Sequence, residues 1–263
     1  MNGESQGRGT LVVLATYNER QNIDCLLDAI LALPRRCDVM VVDDNSPDGT
    51  GRHVQERAAA EPRIIPVLRA GRGGVGSAHR EGWRQARRAG YARIVTLDAD
   101  LSHDPQDIPR FLDALDAGAD VAIGSRFVPG GRLDYRGWRR FLSLKGNSVA
   151  RRMLSLPISE YTTSFRAARL KRVPVGLIES IPNDGYSFFL TATVRLARQG
   201  LRLKEIPIHF HERGAGVSKM PRLEILRGVA NLMYHVVHRR PFAAAAAHAA
   251  HQGDEPRVGV AQD

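Results

Sequence analysis

Two acidic clusters are the groups in this chain best suited to chemistry. Asp98-Ala99-Asp100 sets two carboxylates two residues apart. On an extended strand end such residues point the same way, and their repulsion calls for a compensating cation. A divalent metal bridging to a diphosphate would supply it, since hard cations take oxygen ligands and need few of them from protein. The plainer alternative is a solvated strand end before a helix, with Asp104-Pro105 as cap and first-turn proline. The second cluster, Asp43-Asp44-Asn45-Ser46-Pro47-Asp48-Gly49-Thr50, is made of turn formers. Three acids within that turn are more than a turn requires. A carboxylate at a strand end can accept from a nucleobase N–H or a ribose hydroxyl.

Basic groups follow. Arg69 to Gly76 (RAGRGGVG) has the glycines that let a backbone approach phosphate. It lacks the lysine and hydroxyl of a Walker loop and the G-x-G-x-x-G of a dinucleotide fold, so a flexible turn is the simpler expectation. Residues 132–152 hold seven arginines or lysines against one acid, Asp134. On a helix Arg139, Ser143 and Asn147 share one face and can grip a phosphate; an ordinary solvated basic helix is the alternative. Arg213 and Ser218-Lys219 lie in a glycine-containing run, RGAGVSK, of the kind that closes over anionic ligands.

These groups need a scaffold, and the apolar pattern supplies one. Residues 11–17 (LVVLATY) are a continuous apolar run, as in a strand covered on both faces. Residues 39–42, 94–97 and 120–124 repeat it. Ile23, Leu26, Leu27, Ile30 and Leu31 form a helical stripe, as do Ile108, Phe111, Leu112 and Leu115. Alternating strand and helix predicts an α/β fold with a mostly parallel sheet, whose ligands bind beyond the carboxyl ends of the strands. Both acidic clusters fall there. Beyond residue 128 the pattern predicts a loop over 129–137, a basic helix over 138–156 and a strand over 201–210, with Pro207 marking an edge or irregularity. An amphipathic C-terminal helix is predicted over 222–238, with Leu223, Leu226, Val229, Leu232, Met233, Val236 and Val237 on one face and Glu224, Arg227, Asn231, His235 and His238 opposite. The expected organisation is a flexible N-terminus over 1–9, one domain over 10–240 and a disordered tail over 243–263.

Composition narrows the class. The 263 residues are 43% apolar, enough for a sizeable core, which excludes a chain disordered throughout. Two cysteines, Cys25 and Cys37, argue for a reducing compartment rather than a disulfide framework. No uncharged apolar stretch of ~18 residues exists to span a membrane, and residues 1–10 lack the apolar segment of a signal peptide. The net charge of +10 suits polyanionic partners: nucleic acid, anionic lipid or phosphorylated ligands. Nucleic acid is disfavoured, because the basic helix lacks interleaved stacking aromatics and no zinc-finger spacing or known nucleic-acid module appears.

The order of these motifs resembles the family-2 glycosyltransferases of GT-A fold, specifically the dolichol/polyprenol-phosphate mannose synthases. The resemblance covers roughly residues 10–240. It is carried by Thr16-Tyr17-Asn18-Glu19, the Asp43–Thr50 stretch, Asp98-Ala99-Asp100-Leu101-Ser102-His103, Gly124-Ser125-Arg126, Arg139 to Asn147, Ser164-Phe165-Arg166, Gly185-Tyr186-Ser187-Phe188 and Glu205-Ile206-Pro207-Ile208 through Arg213 to Lys219. It implies an inverting, metal-dependent enzyme that moves a hexose, mannose from GDP-mannose first among the choices, to a polyprenyl phosphate. Tyr17, Glu19, Asp44 and Asp98 would hold the nucleotide sugar, and Asp98 and Asp100 would bind Mg²⁺ or Mn²⁺. Asp100, Arg126, Arg139, Ser143, Arg213 and Lys219 would act at the reacting phosphates. An arginine-rich site without a Ser-His or Cys-His pair suits this chemistry, because an acceptor phosphate is already a nucleophile.

The same resemblance places the protein on the cytoplasmic face of a membrane as a peripheral enzyme, with a membrane-anchored partner as a further expectation. The 222–238 helix, followed by Arg239-Arg240, can lie on an anionic bilayer or pack on the core. Four positions depart from the family pattern: Ala15 in place of proline, Glu160 in place of aspartate, Thr163 in place of glycine or serine, and Thr191 in place of an acid. The last bears on sugar and acceptor preference. A transferase with another sugar nucleotide or a soluble acceptor, and a degenerate non-catalytic subunit, are the alternative readings.

Overall fold

The computed structural model describes residues 8–134, 137–212 and 222–238. Along the chain run β1 (Arg8–Thr16), α1 (Ile23–Leu31), β2 (Cys37–Asp43), α2 (Thr50–Ala60), β3 (Ile64–Leu68), α3 (Val75–Arg88), β4 (Tyr91–Asp98), α4 (Ile108–Asp116) and β5 (Val121–Ser125). There follow β6 (Arg132–Leu133), α5 (Gly137–Leu154), β7 (Arg166–Arg169), α6 (Ser187–Arg198), β8 (Leu203–Pro207), β9 (His209–Phe210) and α7 (Arg222–Val237). Seven strands form one sheet in the order β3-β2-β1-β4-β7-β5-β8. All neighbours are parallel except β7, which runs antiparallel between β4 and β5. The expected mostly parallel α/β sheet is therefore present.

Alternate residues of β1 feed two cores, one on each face. Leu11 and Val13 join the side packed by α3, α6 and part of α5. Val12 and Leu14 join the side packed by α1 and α4. Burial on both faces is why β1 reads as an unbroken apolar run rather than an alternating one. Ile108, Phe111, Leu112 and Leu115 of α4 are all buried, as their spacing predicts. Asp104 caps the turn before α4, its carboxylate accepting from Gln106 N at 2.9 Å.

Two sequence expectations are corrected. Arg8 and Gly9, placed in a flexible N-terminus, are strand: Arg8 pairs with Tyr91 of β4. The 201–210 strand is two strands in two sheets. Pro207 ends β8 at the edge of the large sheet, and His209–Phe210 pairs instead with Arg132–Leu133 inside the expected 129–137 loop. Proline has no N–H to extend the ladder, so the chain changes partners there.

The α7 helix, left open between bilayer and core, divides its apolar face. Leu226, Val229, Met233 and Val237 of its apolar face are exposed, whereas Leu232 and His235 are buried. The helix docks on α6 through polar groups: Asn231 Nδ2 donates to Thr191 Oγ1 at 2.8 Å and to Ser187 O at 3.1 Å. Residues 1–7 and the expected tail over 243–263 lie outside the described residues.

Candidate functional site

The strand order reverses between β1 and β4: β2 lies on one side and the later strands on the other. Parallel strands diverge into a crevice at such a switch point. Register puts Thr16 beside Asp43 and Ala15 beside Asp98, so three carboxyl ends finish level. A cavity of about 340 Å³ opens there. Tyr17, Glu19, Asp44, Arg72, Asp98, Asp100, Asp184 and Arg227 contribute its polar side chains.

The acids of the 43–50 turn separate into two jobs. Asp43 builds the turn: its carboxylate accepts from Thr16 Oγ1 at 2.8 Å, Ser46 N at 2.9 Å and Ser46 Oγ at 2.6 Å. Asp48 does likewise, accepting from Thr50 N, Thr50 Oγ1 and Arg20 N. Asp44 alone lines the cavity. Its carboxylate accepts from Arg69 Nη1 at 2.5 Å, Gly73 N at 3.1 Å and Gly74 N at 2.8 Å.

The glycine-rich run is not a loose turn: it clamps Asp44, and Gly73 and Gly74 also line the cavity. Gly74 sits at φ +87°, where a Cβ would meet Asp184 O at 2.5 Å, so glycine is required. The clamp also aims Arg72, whose guanidinium carbon lies 4.3 Å from the Tyr17 ring centroid. A cation over an aromatic face stiffens both side chains and makes a flat-sided wall. Glu19 is buried and accepts from Asn22 Nδ2 at 2.8 Å, while its N–H donates to Thr50 Oγ1 at 3.0 Å.

Asp98 ends β4 and Asp100 follows in a tight turn. Leu101 takes φ +63°, a strained value for a leucine. The turn folds Ser102 back, so that Ser102 N and Oγ both donate to Asp100 Oδ1, at 3.0 and 2.5 Å. Behind the pair lies His103. Burial pushes its pKa down strongly; the charge of Asp100 acts against the drop, without overcoming it. Its Nδ1 accepts from Asp98 N at 3.3 Å, which assigns the proton to Nε2. Two carboxylates at a cavity wall, one of them oriented by a hydroxyl, form a donor set of hard oxygens that fits Mg²⁺ or Mn²⁺.

Other expected residues lie elsewhere. Arg126 does not line the cavity. It forms a bidentate pair with the fully buried Glu160, Nε to Oε2 at 2.7 Å and Nη2 to Oε1 at 2.8 Å. Asn147, expected to share a phosphate-gripping face, is buried and its Oδ1 accepts from Tyr161 N at 3.0 Å. Arg213, Lys219 and the side chains of Arg139 and Ser143 lie outside the described residues. Thr191 is buried away from the cavity. Its hydroxyl donates to Asn183 Oδ1 and accepts from Asn231 of α7.

Four cavity residues carried no role in the sequence reading: Arg72, Asp184, Tyr186 and Arg227. Arg72 had a signal, being a base inside a glycine run beside a strand end. Arg227 had none, because only the docking of α7 on α6 turns it toward the site.

An acid pair at the carboxyl ends of a largely parallel sheet, at its switch point, is the arrangement of a GT-A-type glycosyltransferase fold. The chain belongs to glycosyl transferase family 2, whose sequence pattern matches residues 11–173. It is 41% identical over 213 residues to the polyprenol monophosphomannose synthase of Mycolicibacterium smegmatis, covering 80% of each chain. It is 39% identical over 211 residues to the undecaprenyl-phosphate mannosyltransferase of Micrococcus luteus, covering 80% of this chain and 86% of that one. The glucosyl-3-phosphoglycerate synthase of Mycobacterium tuberculosis, solved with Mn²⁺, UDP and glucosyl-3-phosphoglycerate, superposes with a TM-score of 0.62. That match has 20% identity and covers 89% of this chain and 82% of that chain, a likeness of fold.

Proposed function

We propose that the protein transfers mannose from GDP-mannose to a polyprenyl phosphate, with inversion at the anomeric carbon. The observation that carries the reading is the gathering of Asp44, Tyr17, Arg72, Asp98 and Asp100 around one cavity at the sheet's switch point, in a chain so similar to two polyprenyl-phosphate mannosyltransferases. The Tyr17–Arg72 wall and the Asp44 carboxylate receive the nucleoside. Asp98 and Asp100 would hold Mg²⁺ or Mn²⁺, which would supply charge neutralisation on a diphosphate leaving group.

The chemistry asks little else of the protein. A phosphate monoester with its second pKa near ~6 is largely dianionic at neutral pH, so its oxygen attacks the anomeric carbon without a general base. The bond to the nucleoside diphosphate breaks, and that group departs with the electron pair. The enzyme's task is to bring two anions together. Arg227 at the cavity, with Arg139, Ser143, Arg213 and Lys219, serves the acceptor phosphate. Arg126 acts at one remove, by fixing Glu160 and the turn around it.

The acceptor is a lipid. Among the described residues no helix is long and apolar enough to cross a membrane. The outward stripe of α7, with Leu226 66%, Val229 56% and Val237 72% exposed, lies on the bilayer surface and brings the cavity to the lipid phosphate. The protein is thus peripheral, on the cytoplasmic face where nucleotide sugars are available, and a membrane-anchored partner can share this stripe.

The test is one assay. Purified protein, Mg²⁺ or Mn²⁺, a short polyprenyl phosphate and radiolabelled GDP-mannose are incubated and extracted with organic solvent. Label in the lipid phase, lost with EDTA and in Asp100→Ala, is the expected result. Label confined to water, or equal extraction by Asp100→Ala, overturns the reading; UDP-glucose and UDP-N-acetylglucosamine in parallel reveal another donor.

A further inference from the structure

Beside the turn that carries Asp100 lies a second cluster of ligating side chains, none of which lines the cavity. His209 and His211 are alternate residues along β9 and its continuation, so both side chains leave the same face. β6 pairs with β9 in parallel, Arg132 beside His209 and Leu133 beside Phe210. The next residue, Asp134, continues that ladder, its N–H donating to Phe210 O at 3.0 Å. Its carboxylate stands between the two imidazoles. Oδ1 lies 2.6 Å from His209 Nε2 and Oδ2 lies 3.2 Å from His211 Nδ1.

We propose that Asp134, His209 and His211 form a binding site for a borderline divalent transition metal, Zn²⁺ foremost, separate from the Asp98–Asp100 pair. Three observations support it. The ligating atoms of all three residues lie within 4.8 Å of one another. The two rings sit 4.0 Å apart, tilted by 45°, close enough for both to reach one cation. All three side chains are about 40% exposed, which leaves an entry path and open coordination positions.

The donor set also discriminates between ions. Two imidazoles and a carboxylate match Zn²⁺, Co²⁺ or Ni²⁺, whereas the all-oxygen pair at Asp98 and Asp100 suits Mg²⁺ or Mn²⁺. Tetrahedral ligands at ~2.0–2.1 Å from Zn²⁺ stand about 3.3 Å apart. The two Asp134–imidazole separations, 2.6 and 3.2 Å, already lie near that spacing.

The position gives such an ion a role. His211 N donates to Ser102 O at 2.9 Å, and Ser102 orients Asp100. Phe210, between the two histidines, packs edge-on against His103, which backs Asp98, with centroids 4.9 Å apart. An ion at the triad would cross-link β6 to β9 and stiffen the Asp98–His103 turn from behind. It would thereby tune the catalytic turn without touching substrate.

The experiment uses full-length protein stripped with chelator, titrated calorimetrically with ZnCl₂ and with MgCl₂ in the absence of nucleotide. One equivalent of Zn²⁺ should bind wild type and Asp100→Asn alike, with Mg²⁺ at least 100-fold weaker at this site. Zn²⁺ should bind at least tenfold more weakly to His209→Gln and to His211→Gln, whose metal-free melting temperatures check folding. Imidazole NMR of the wild type supplies the ligand identity without any variant: Zn²⁺ must shift two histidine spin systems. Zn²⁺ binding that survives both histidine changes, that disappears in Asp100→Asn, or that perturbs no imidazole overturns the proposal.

Discussion

Glu160→Gln probes a deeply buried charge cluster. The Glu160 side chain is 0% exposed and that of Arg126 is 7% exposed. The carboxylate takes two bonds from Arg126 and two more from Thr162 N and Oγ1, at 2.9 and 3.0 Å. A second buried guanidinium, Arg166, bonds to the carbonyls of Tyr161, Thr163 and Phe189 and to Thr193 Oγ1. Burial pushes the pKa of Arg166 down to about 10, and the charge of Glu160 opposes that fall. Glu160 thus pairs directly with Arg126 and acts through space on Arg166.

Removing one partner of a buried pair costs about 3–5 kcal/mol. Glutamine still accepts one bond from Arg126, so the lower half of that range is expected, roughly 3–4 kcal/mol, with a fall in melting temperature of about 6–16 °C. The pH dependence carries a second signature. Burial pushes the Glu160 carboxyl up, but the Arg126 charge and the hydrogen bonds of Arg126 and Thr162 outweigh it and hold the pKa below its ordinary 4.5. A folded pKa below the unfolded one contributes stability that is whole above pH 4.5 and lost as pH falls through the folded value. Urea unfolding at pH 7 and through the range below 4.5 measures both. The glutamine variant should show a lower midpoint with unchanged slope at pH 7, and a smaller further loss in acid. A cost under about 1 kcal/mol at pH 7, or an acid loss equal to that of wild type, would refute the charge balance. Arg126→Met combined with Glu160→Gln should recover part of the loss; a fully additive double variant would count equally against it.

Other expectations are independent. Asp44→Asn removes the counter-charge of Arg69 and should raise the KM for donor nucleotide at least tenfold, with kcat changed less, in the lipid-extraction assay. Thr191→Val deletes the hydroxyl that joins Asn183, Asn231 and His235; a cost of about 1–3 kcal/mol and faster hydrogen exchange across α7 are expected. Gly82→Ala places a Cβ 2.4 Å from Val13 Cγ1, so the gain in helix propensity should be overwhelmed by about 1–3 kcal/mol of overpacking in thermal melts. Burial pushes the His235 pKa down to about 4, assisted by Arg198 and Arg195. Its folded pKa lies below the unfolded 6.5, so stability is full above pH 6.5 and declines toward pH 4; His235→Gln should flatten that slope.

Much of the scaffold was legible before any coordinates. β1, β2, β4 and β5 are buried on both faces, and α1 and α4 each hide one stripe, so local hydrophobic period suffices to locate them. The antiparallel β7, Arg166–Arg169, gave no such signal: four residues, two of them arginines, are strand only because β4 and β5 flank them. The C-terminal helix was legible as a helix but not in its orientation. Periodicity sorts residues onto faces, yet the face that docks combines the Thr191 network with Leu232 and Val236.

The amino-acid order, through its resemblance to the family-2 glycosyltransferases, indicated the class of chemistry, in keeping with carboxylates at the ends of apolar strands, arginines in excess and no paired nucleophile and base. Tertiary structure decided which charges are available for it. Asp43, Asp44 and Asp48 are chemically alike, but hydrogen bonds from Ser46 and Thr50 consume the outer two in building the turn, while Asp44 reaches the cavity. Arg126 is a plausible phosphate ligand in sequence, and only the fold brings Glu160 from 34 residues away to neutralise it. A side chain's intrinsic charge is a property of its type. Whether that charge meets a ligand or a neighbour depends on contacts between distant segments, and those exist only once the sheet has assembled.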